Sequence, residues 1–222
     1  MITNKNCIIR LSRYKNALFR LKEMGFIKVF SDNLADAIGV TASQVRKDFS
    51  LFGISGNKKG GYQIDELLEK LNTILGKDRM QNVIVAGAGN IGSALMKYAG
   101  FEKEGIRIAA GFDIDHAKFS KAGSTEVLPL EDLPDFVRKH GISIGIIAVP
   151  DVAAQAVADV MVRSGIKGIL NFAPIRLRAP EDVVVNNVNL EHELENVIYF
   201  VNVLNRSKAR PIKSGGKSVD TA

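Results

Sequence analysis

The chain has 222 residues, of which 46% are hydrophobic and 24% charged, a composition that excludes a wholly disordered protein. Its single cysteine, Cys7, cannot form an intramolecular disulfide, and its three histidines lack the spacing of a zinc site. The longest stretch without a charged residue, 80–96, is shorter than the ~20 apolar residues that span a bilayer. We therefore expect a soluble, cytoplasmic protein with no metal and no membrane contact.

The net charge of +6 is distributed unevenly along the chain. Residues 1–80 carry 14 basic and 8 acidic side chains, whereas residues 81–222 carry 16 of each. The last stretch, 206–222, is basic and rich in Ser and Gly, and we expect it to be disordered. These shifts predict a basic domain at 1–78, a second domain at 79–188, a C-terminal helix at 189–205 and a tail at 206–222.

Apolar residues in the first domain recur at helical spacing and predict helices over 8–24, 33–38, 41 to about 51, and 65–75. Ser31-Asp32 is the expected N-cap of the second helix, and Gly39 ends it. Thr41 and Gln44 predict a capping box, in which each side chain binds the backbone amide of the other residue.

The spacing of Ala35, Gly39 and Val45 predicts a helix-turn-helix, with a close helix approach at Ala35, a tight turn at Gly39 and an inward side chain at Val45. With Val45 and Phe49 facing inward, the second helix presents polar side chains that suit DNA contacts, namely Ser43, Gln44, Arg46, Lys47 and Ser50. The alternative is a plain helical hairpin whose lysines are only solvated.

A glycine-rich stretch follows, and it predicts a β-hairpin between Phe52-Gly53-Ile54 and Tyr62-Gln63-Ile64. Its tip carries Lys58 and Lys59, which could enter a minor groove as the wing of a winged helix-turn-helix.

From residue 82 the pattern changes to strands alternating with helices. The predicted strands lie at 83–86, 106–112, 142–149, 168–171 and 183–185, and the predicted helices at 90–99 and 152–164. This order is typical of an α/β domain with a doubly wound parallel sheet, the Rossmann architecture.

A dinucleotide-binding motif follows the first of these strands, in the run Gly87-Ala88-Gly89-Asn90-Ile91-Gly92. In such a loop, Gly87 makes the turn, Gly89 lets the backbone approach a pyrophosphate and Gly92 lets the helix pack on the strand. Asp113, 21 residues after Gly92, suits the adenosine ribose hydroxyls and favours NAD(H) over NADP(H). A glycine-rich turn without a ligand, or one that holds FAD, remains open.

Later strand ends, namely Ala148-Val149-Pro150 and Asn171-Phe172-Ala173-Pro174, should line the nicotinamide side of this site, with Val149, Pro150, Asn171 and Phe172 as the expected contacts. The prolines there could equally be strand terminators. No proton donor is placed for catalysis, because His116, His140 and His192 lie at unsuitable points and no Tyr-x-x-x-Lys pair exists. We therefore predict that the nucleotide is a ligand that signals, and that the protein is not an enzyme.

The two motifs together resemble the Rex family of redox-sensing transcriptional repressors over about residues 5–205. The resemblance depends on residues 40–50, Gly60-Gly61-Tyr62, the loop from Gly87 leading to Tyr98, Phe112 to Asp115 and residues 165–174. It implies a homodimeric repressor that binds inverted-repeat double-stranded operator DNA, is released by NADH and is held on DNA with NAD⁺. It also implies Tyr98 as a residue of the nucleotide site.

The last predicted helix has a wide apolar stripe made of Leu190, Leu194, Val197, Ile198, Val201 and Leu204. Either it packs on its own domain, or it is exchanged with, or wedged against, a partner subunit and forms the dimer interface. Two other functions compete with the repressor: an NAD-dependent oxidoreductase fused to a DNA-binding domain, and a DNA-binding module whose second domain only dimerises.

Overall fold

The computed structural model describes residues 5–57, 60–119, 121–122 and 125–208, and the chain forms two units. The first unit contains the residues up to Gln81 together with Ala99–Arg107, and the second contains Asn82–Tyr98 and the residues from Ile108 onward. The second unit is therefore interrupted by a short segment that belongs to the first.

The first unit is mainly helical. Its elements up to residue 74 are α1 (Lys5–Glu23), β1 (Lys28–Val29), α2 (Ser31–Ile38), α3 (Ala42–Leu51), β2 (Tyr62–Gln63) and α4 (Ile64–Ile74). Their apolar faces meet in one core whose fully buried members include Leu11, Tyr14, Leu18, Leu34, Val45, Phe49 and Leu71. The three- and four-residue spacing of these side chains is what places them on inward faces.

The helix caps of the first unit differ in part from the predictions. The N-cap of α2 is Phe30, whose backbone N–H donates to Oδ1 of Asn33 over 2.9 Å, so the predicted Ser31-Asp32 cap is wrong. Thr41 caps α3 as predicted, because its Oγ1 accepts the N–H of Gln44. The reciprocal bond is not formed, since the Gln44 side chain donates to Asp48.

The predicted pairing of the hairpin is also wrong. β2 pairs antiparallel with β1, with Lys28 opposite Gln63 and Val29 opposite Tyr62, and not with residues 52–54. A turn remains at the expected place, because the backbones of Asn57 and Gly61 exchange hydrogen bonds of 3.2 and 2.8 Å. Lys58 and Lys59 lie outside the described residues.

The segment Ala99–Arg107 is tied to the first unit by charge. Glu104 accepts from the ammonium groups of Lys15 and Lys77, at 2.6 and 2.5 Å. Burial lowers the pKa of Lys15, which is 3% exposed, although the hydrogen bond to Glu104 opposes that shift.

The second unit has a seven-stranded sheet. In chain order its elements are β3 (Gln81–Ala86), α5 (Asn90–Met96), β4 (Ile106–Asp113), β5 (Lys121–Ala122), β6 (Thr125–Pro129), α7 (Leu133–His140), β7 (Ile144–Ile147), α8 (Asp151–Ser164), β8 (Gly168–Asn171), β9 (Val184–Asn187) and α9 (Leu190–Lys208); the intervening α6 (Gly100–Lys103) lies in the first unit. The sheet order is β5-β6-β4-β3-β7-β8-β9.

The prediction of a doubly wound parallel sheet is confirmed, with one antiparallel strand added at the edge. β3 is parallel to β7, β7 to β8 and β8 to β9, while β5 pairs antiparallel with β6. The first helix of this unit, α5, ends at Met96 and not at residue 99. The reversal of strand order at β3 places its carboxyl end, and that of β7, beside a crevice where Rossmann proteins bind ligands.

The terminal helix α9 is exposed along its whole described length, from Leu190 to Arg206. The alternative in which this helix packs on its own domain is therefore wrong. The helix extends to Lys208, so residues 206–208 are helical rather than disordered, and residues 209–222 lie outside the described part.

Candidate functional site

The glycine-rich loop joins β3 to α5 through two close approaches that exclude a side chain. Gly87 has φ of +98°, and a Cβ there would lie 2.4 Å from the carbonyl oxygen of Ala148, the residue that follows β7. A Cβ at Gly92 would lie 1.7 Å from the carbonyl oxygen of Gly87. These two glycines therefore have the roles that the motif predicts for them.

Gly89 differs from both neighbours, because a Cβ built there would meet nothing within 4 Å. The space above it belongs to a cavity of about 600 Å³. Eight of the predicted nucleotide-site residues line this cavity: Gly87, Gly89, Asn90, Ile91, Asp113, Val149, Pro150 and Phe172. Gly89 thus leaves the room that a ligand's close approach to the backbone would need.

Asp113 fixes the glycine-rich loop from the end of β4. The carboxylate is 7% exposed; its Oδ2 accepts the N–H of Ala88 over 2.7 Å and its Oδ1 accepts the N–H of Asp115 over 2.9 Å. Burial would raise the pKa of Asp113, but the two backbone donors and the ammonium of Lys118 lower it overall. The group is a buried carboxylate that both shapes the loop and borders the cavity.

Four predicted residues of this site do not line the cavity: Ala88, Gly92, Tyr98 and Asn171. Ala88 and Gly92 shape the loop, while Tyr98 follows α5 and is 61% exposed. Asn171 is fully buried, and its Nδ2 donates to the carbonyls of Ala173 and Ile175. Asn171 therefore holds the loop that carries Phe172 rather than facing the cavity itself.

Ala148, Ala173 and Pro174 of the two predicted strand ends also line the cavity. Sequence reasoning missed the rest of the wall, namely Phe112, Ile114, Asp115, Lys118, Leu130, Ala153 and Val157. Most are apolar and carry no motif, so only the folded sheet brings them together. Lys118 is the basic residue of this wall. Its position five residues after Asp113 is the sequence feature from which its place in the site could have been predicted.

The exposed face of α3 is polar and basic, as the helix-turn-helix predicts. Val45 and Phe49 are fully buried, whereas Ser43, Arg46, Lys47 and Ser50 are exposed and Gln44 is half-buried. Gly39 has φ of +73° in the turn between α2 and α3, and Ala35 is buried at their contact. Arg46 also lines a groove of about 360 Å³ with Asn57 and Tyr62, which connects this face to the Asn57–Gly61 turn.

The opposite face of α3 is anchored by Asp48, which is 1% exposed. Its carboxylate accepts from Nε and Nη2 of Arg10 at 2.6 and 2.7 Å, and it also accepts from Tyr14 and Gln44. Burial would raise the pKa of Asp48, but these donors lower it overall. Sequence reasoning missed this cluster, because Arg10 and Asp48 are 38 positions apart.

Two further properties concern the described residues alone. No group of three or more His, Cys, Asp or Glu side chains there could hold a metal ion. None of the helices in the described ranges is long and apolar enough to cross a membrane.

A helix-turn-helix with an exposed basic face, joined to a Rossmann unit whose cavity borders a glycine-rich loop, has the two sites of a transcription regulator with a nucleotide-binding sensor domain. Comparison with known proteins agrees in both halves. A family model described as "CoA binding domain" matches residues 78–175, and one described as "Putative DNA-binding protein N-terminus" matches residues 5–50.

Relatives that match nearly the whole chain specify the family. The redox-sensing transcriptional repressor Rex of Desulforamulus reducens is 46% identical over 189 residues, which cover 85% of this chain and 90% of the relative. That of Carboxydothermus hydrogenoformans is 46% identical over 195 residues, covering 87% and 94%. The chain belongs to the Rex family of redox-sensing transcriptional repressors. The members of this family are repressors and not enzymes, which confirms that prediction.

Solved structures of RSP, a Rex-family repressor, have the same fold at 40% sequence identity. The RSP complex with β-NAD⁺ and operator DNA has a TM-score of 0.87 and covers 94% of this chain and 96% of that one. The RSP complex with β-NADH has a TM-score of 0.83 and covers 94% and 98%.

Proposed function

We propose that this chain is a cytoplasmic, homodimeric repressor that binds inverted-repeat operator DNA and is released when NADH occupies the cavity beside Gly89. NAD⁺ competes for the same cavity and leaves the protein on DNA. The observation that carries this proposal is the open space above Gly89 next to the buried carboxylate of Asp113, in a chain that also exposes a basic helix-turn-helix face.

The residues of the cavity fit a dinucleotide. The loop at Gly89 gives a pyrophosphate access to backbone amides, and Asp113 lies where the adenosine ribose hydroxyls belong. The apolar wall at Val149, Pro150 and Phe172 suits a nicotinamide ring. The family model that matches residues 78–175 is described as a CoA binding domain. Coenzyme A and NAD both contain an ADP group, so this description is compatible with a dinucleotide in the cavity.

The DNA surface is the exposed face of α3. Arg46 and Lys47 supply the cations that major-groove edges and phosphates require, and Ser43 and Ser50 supply hydroxyl donors. Gln44 contributes only if its amide leaves Asp48, to which it donates over 2.7 Å. Lys58 and Lys59 are the proposed minor-groove contacts of the wing.

The proposed dimer is formed through α9. Nine large apolar side chains of this helix are at least 42% exposed, among them Leu194, Tyr199 and Phe200. Such a surface is too apolar to remain in water, and a second copy with the same helix would cover it symmetrically. Deletion of 189–222 should abolish the dimer in sedimentation, whereas deletion of 209–222 should spare it; a stable dimer after the longer deletion contradicts this assignment.

The function is tested on an operator that the protein itself selects from a random pool of duplexes. With the labelled operator bound, NADH and NAD⁺ are titrated separately while fluorescence anisotropy is followed. We expect NADH to release the DNA and NAD⁺ to retain it and to oppose NADH. Turnover of NADH with a substrate, or the absence of NADH binding, would contradict the repressor proposal.

A further inference from the structure

Asp113 borders the part of the cavity that we propose holds the adenosine ribose. The charge there is not set by Asp113 alone. The Nζ of Lys118 lies 3.2 Å from Oδ2 of Asp113, the same oxygen that accepts the N–H of Ala88. Lys118 itself lines the cavity and its side chain is 40% exposed. The carboxylate that should repel a ribose 2′-phosphate is therefore paired with a cation on the cavity side.

The position of Lys118 is fixed by a short turn after β4. Oδ1 of Asp115 accepts the N–H of Ala117 over 3.0 Å, and the carbonyl of Asp115 accepts the N–H of Lys118 over 3.0 Å. These bonds return the chain toward Asp113 and bring the ammonium to its carboxylate. The ion pair thus results from a built turn rather than from a chance contact of a long surface side chain.

The other charges that face this edge can be counted from the described residues. Asp115 also lines the cavity and is exposed, while His116 and Glu131 line a neighbouring cavity that shares Asp113, Ile114 and Leu130 with it. With Lys118 present, one of the two acidic charges that line the 600 Å³ cavity is compensated; without it, both would face a phosphate. Lys118 therefore changes the electrostatic penalty for a phosphorylated ribose more than it changes the fit of a ribose with free hydroxyls.

We propose that Lys118 is a specificity-determining residue of this cavity, which lowers the preference for NAD(H) over NADP(H) that Asp113 would otherwise impose and contacts the 2′-phosphate when NADP(H) binds. This inference rests on the proposed function, because it deepens the ligand choice of the same cavity.

The test measures dissociation constants of NADH and NADPH for the full chain by the fluorescence of the reduced nicotinamide. Lys118→Met should weaken NADPH about tenfold more than NADH, and Lys118→Arg should restore the parent ratio to within about threefold because it keeps the charge. Lys97→Met is the matched control, since exposed Lys97 follows α5 and does not line the cavity. Asp113→Asn should move the ratio in the opposite direction.

A merely structural role of Lys118 would give a different result. If the lysine only held Asp113 and the loop in place, Lys118→Met would weaken both nucleotides equally, and that outcome overturns the proposal. An unchanged ratio, or no NADPH binding by the parent at millimolar concentration while NADH binds, overturns it as well. If the parent binds neither nucleotide, the proposed function fails as well. If it binds NADH but not NADPH, only the inference about Lys118 fails.

Discussion

Two buried aspartates, one in each unit, show how similar local chemistry serves different ends. Asp48 and Asp113 are 1% and 7% exposed, and in both cases hydrogen bonds overcome the effect of burial and lower the pKa. The donors to Asp48 are side chains from α1 and from its own helix, and only 1% of this residue is exposed. The principal donors to Asp113 are backbone amides, and one side of the carboxylate faces the 600 Å³ cavity.

The difference separates a residue that holds a surface in place from one that forms a site. Asp48 fixes the inner face of α3 and so sets how Arg46 and Lys47 are presented. Asp113 fixes the glycine-rich loop and still has acceptor capacity toward a ligand. Substitutions at the first should therefore act on stability and at the second on nucleotide affinity.

The largest effect is expected for Asp48→Ala. It leaves Arg10 without its carboxylate and removes an acceptor from Tyr14 and Gln44, and breaking such a buried pair costs about 3 kcal/mol. The free energy of unfolding in urea measures this loss, with Asp36→Ala as a control, because Asp36 is exposed on α2. A loss below about 1 kcal/mol would mean that the cluster does not anchor α3.

The exposed face of α3 should respond in DNA affinity rather than in stability. Arg46→Ala is expected to weaken operator binding by about 2 kcal/mol if it contacts a base, with relaxed preference at one position of the operator. Anisotropy titrations at two salt concentrations distinguish this from a lost phosphate contact, which flattens the salt dependence. Arg163→Ala removes the same charge from an exposed position of α8 and should leave DNA binding unchanged. Equal operator affinities for the parent, Arg46→Ala and Arg163→Ala would contradict the assignment of α3.

Asp113→Ala should weaken NADH about tenfold, or about 1.4 kcal/mol, and should destabilise the fold less than Asp48→Ala does. The reason is that it removes a ribose acceptor and the anchor of Ala88, while leaving no buried cation unpaired, since Lys118 is 40% exposed. Calorimetric titration with NADH checks the affinity, and Asp182→Ala, which lies on the surface beside Lys167, is the control. If Asp113→Ala lowers the free energy of unfolding as much as Asp48→Ala does, the proposed difference between the two aspartates is wrong.

The smallest expected effect is on the free energy of unfolding at acidic pH. Because hydrogen bonds from Arg10, Gln44 and Tyr14 hold the folded-state pKa of Asp48 below the usual value for an aspartate, its contribution to stability is present above that usual value and is lost as the pH falls through the folded value. Between pH 5 and pH 3 the parent should therefore lose more free energy of unfolding than Asp48→Asn, each measured against its own value at pH 6. Identical pH dependence would show that folding does not lower the pKa of Asp48.

The sequence predicted the parts of this molecule that depend on local pattern. The apolar runs at β3, β7 and β8, the glycine motif, and the inward Val45 and Phe49 all result from spacing within a few residues. The pairing of β1 with β2 and the Arg10–Asp48 contact arise from distant segments that meet only in the fold. Asn171 illustrates the same limit, because its place at a strand end predicts a ligand contact while its amide is used by the following loop.

The glycine-rich loop offers the most direct test that the cavity controls the DNA surface. Gly89→Val adds methyl groups to a backbone with φ of −70° and with open space around its Cβ, so the fold should be retained while the path of the pyrophosphate is blocked. The measurement is the NADH-driven fall in anisotropy of a labelled operator, for the parent and for this variant at equal starting saturation. We predict that NADH releases the parent and leaves the variant on DNA; release of both at the same NADH concentration would contradict the account.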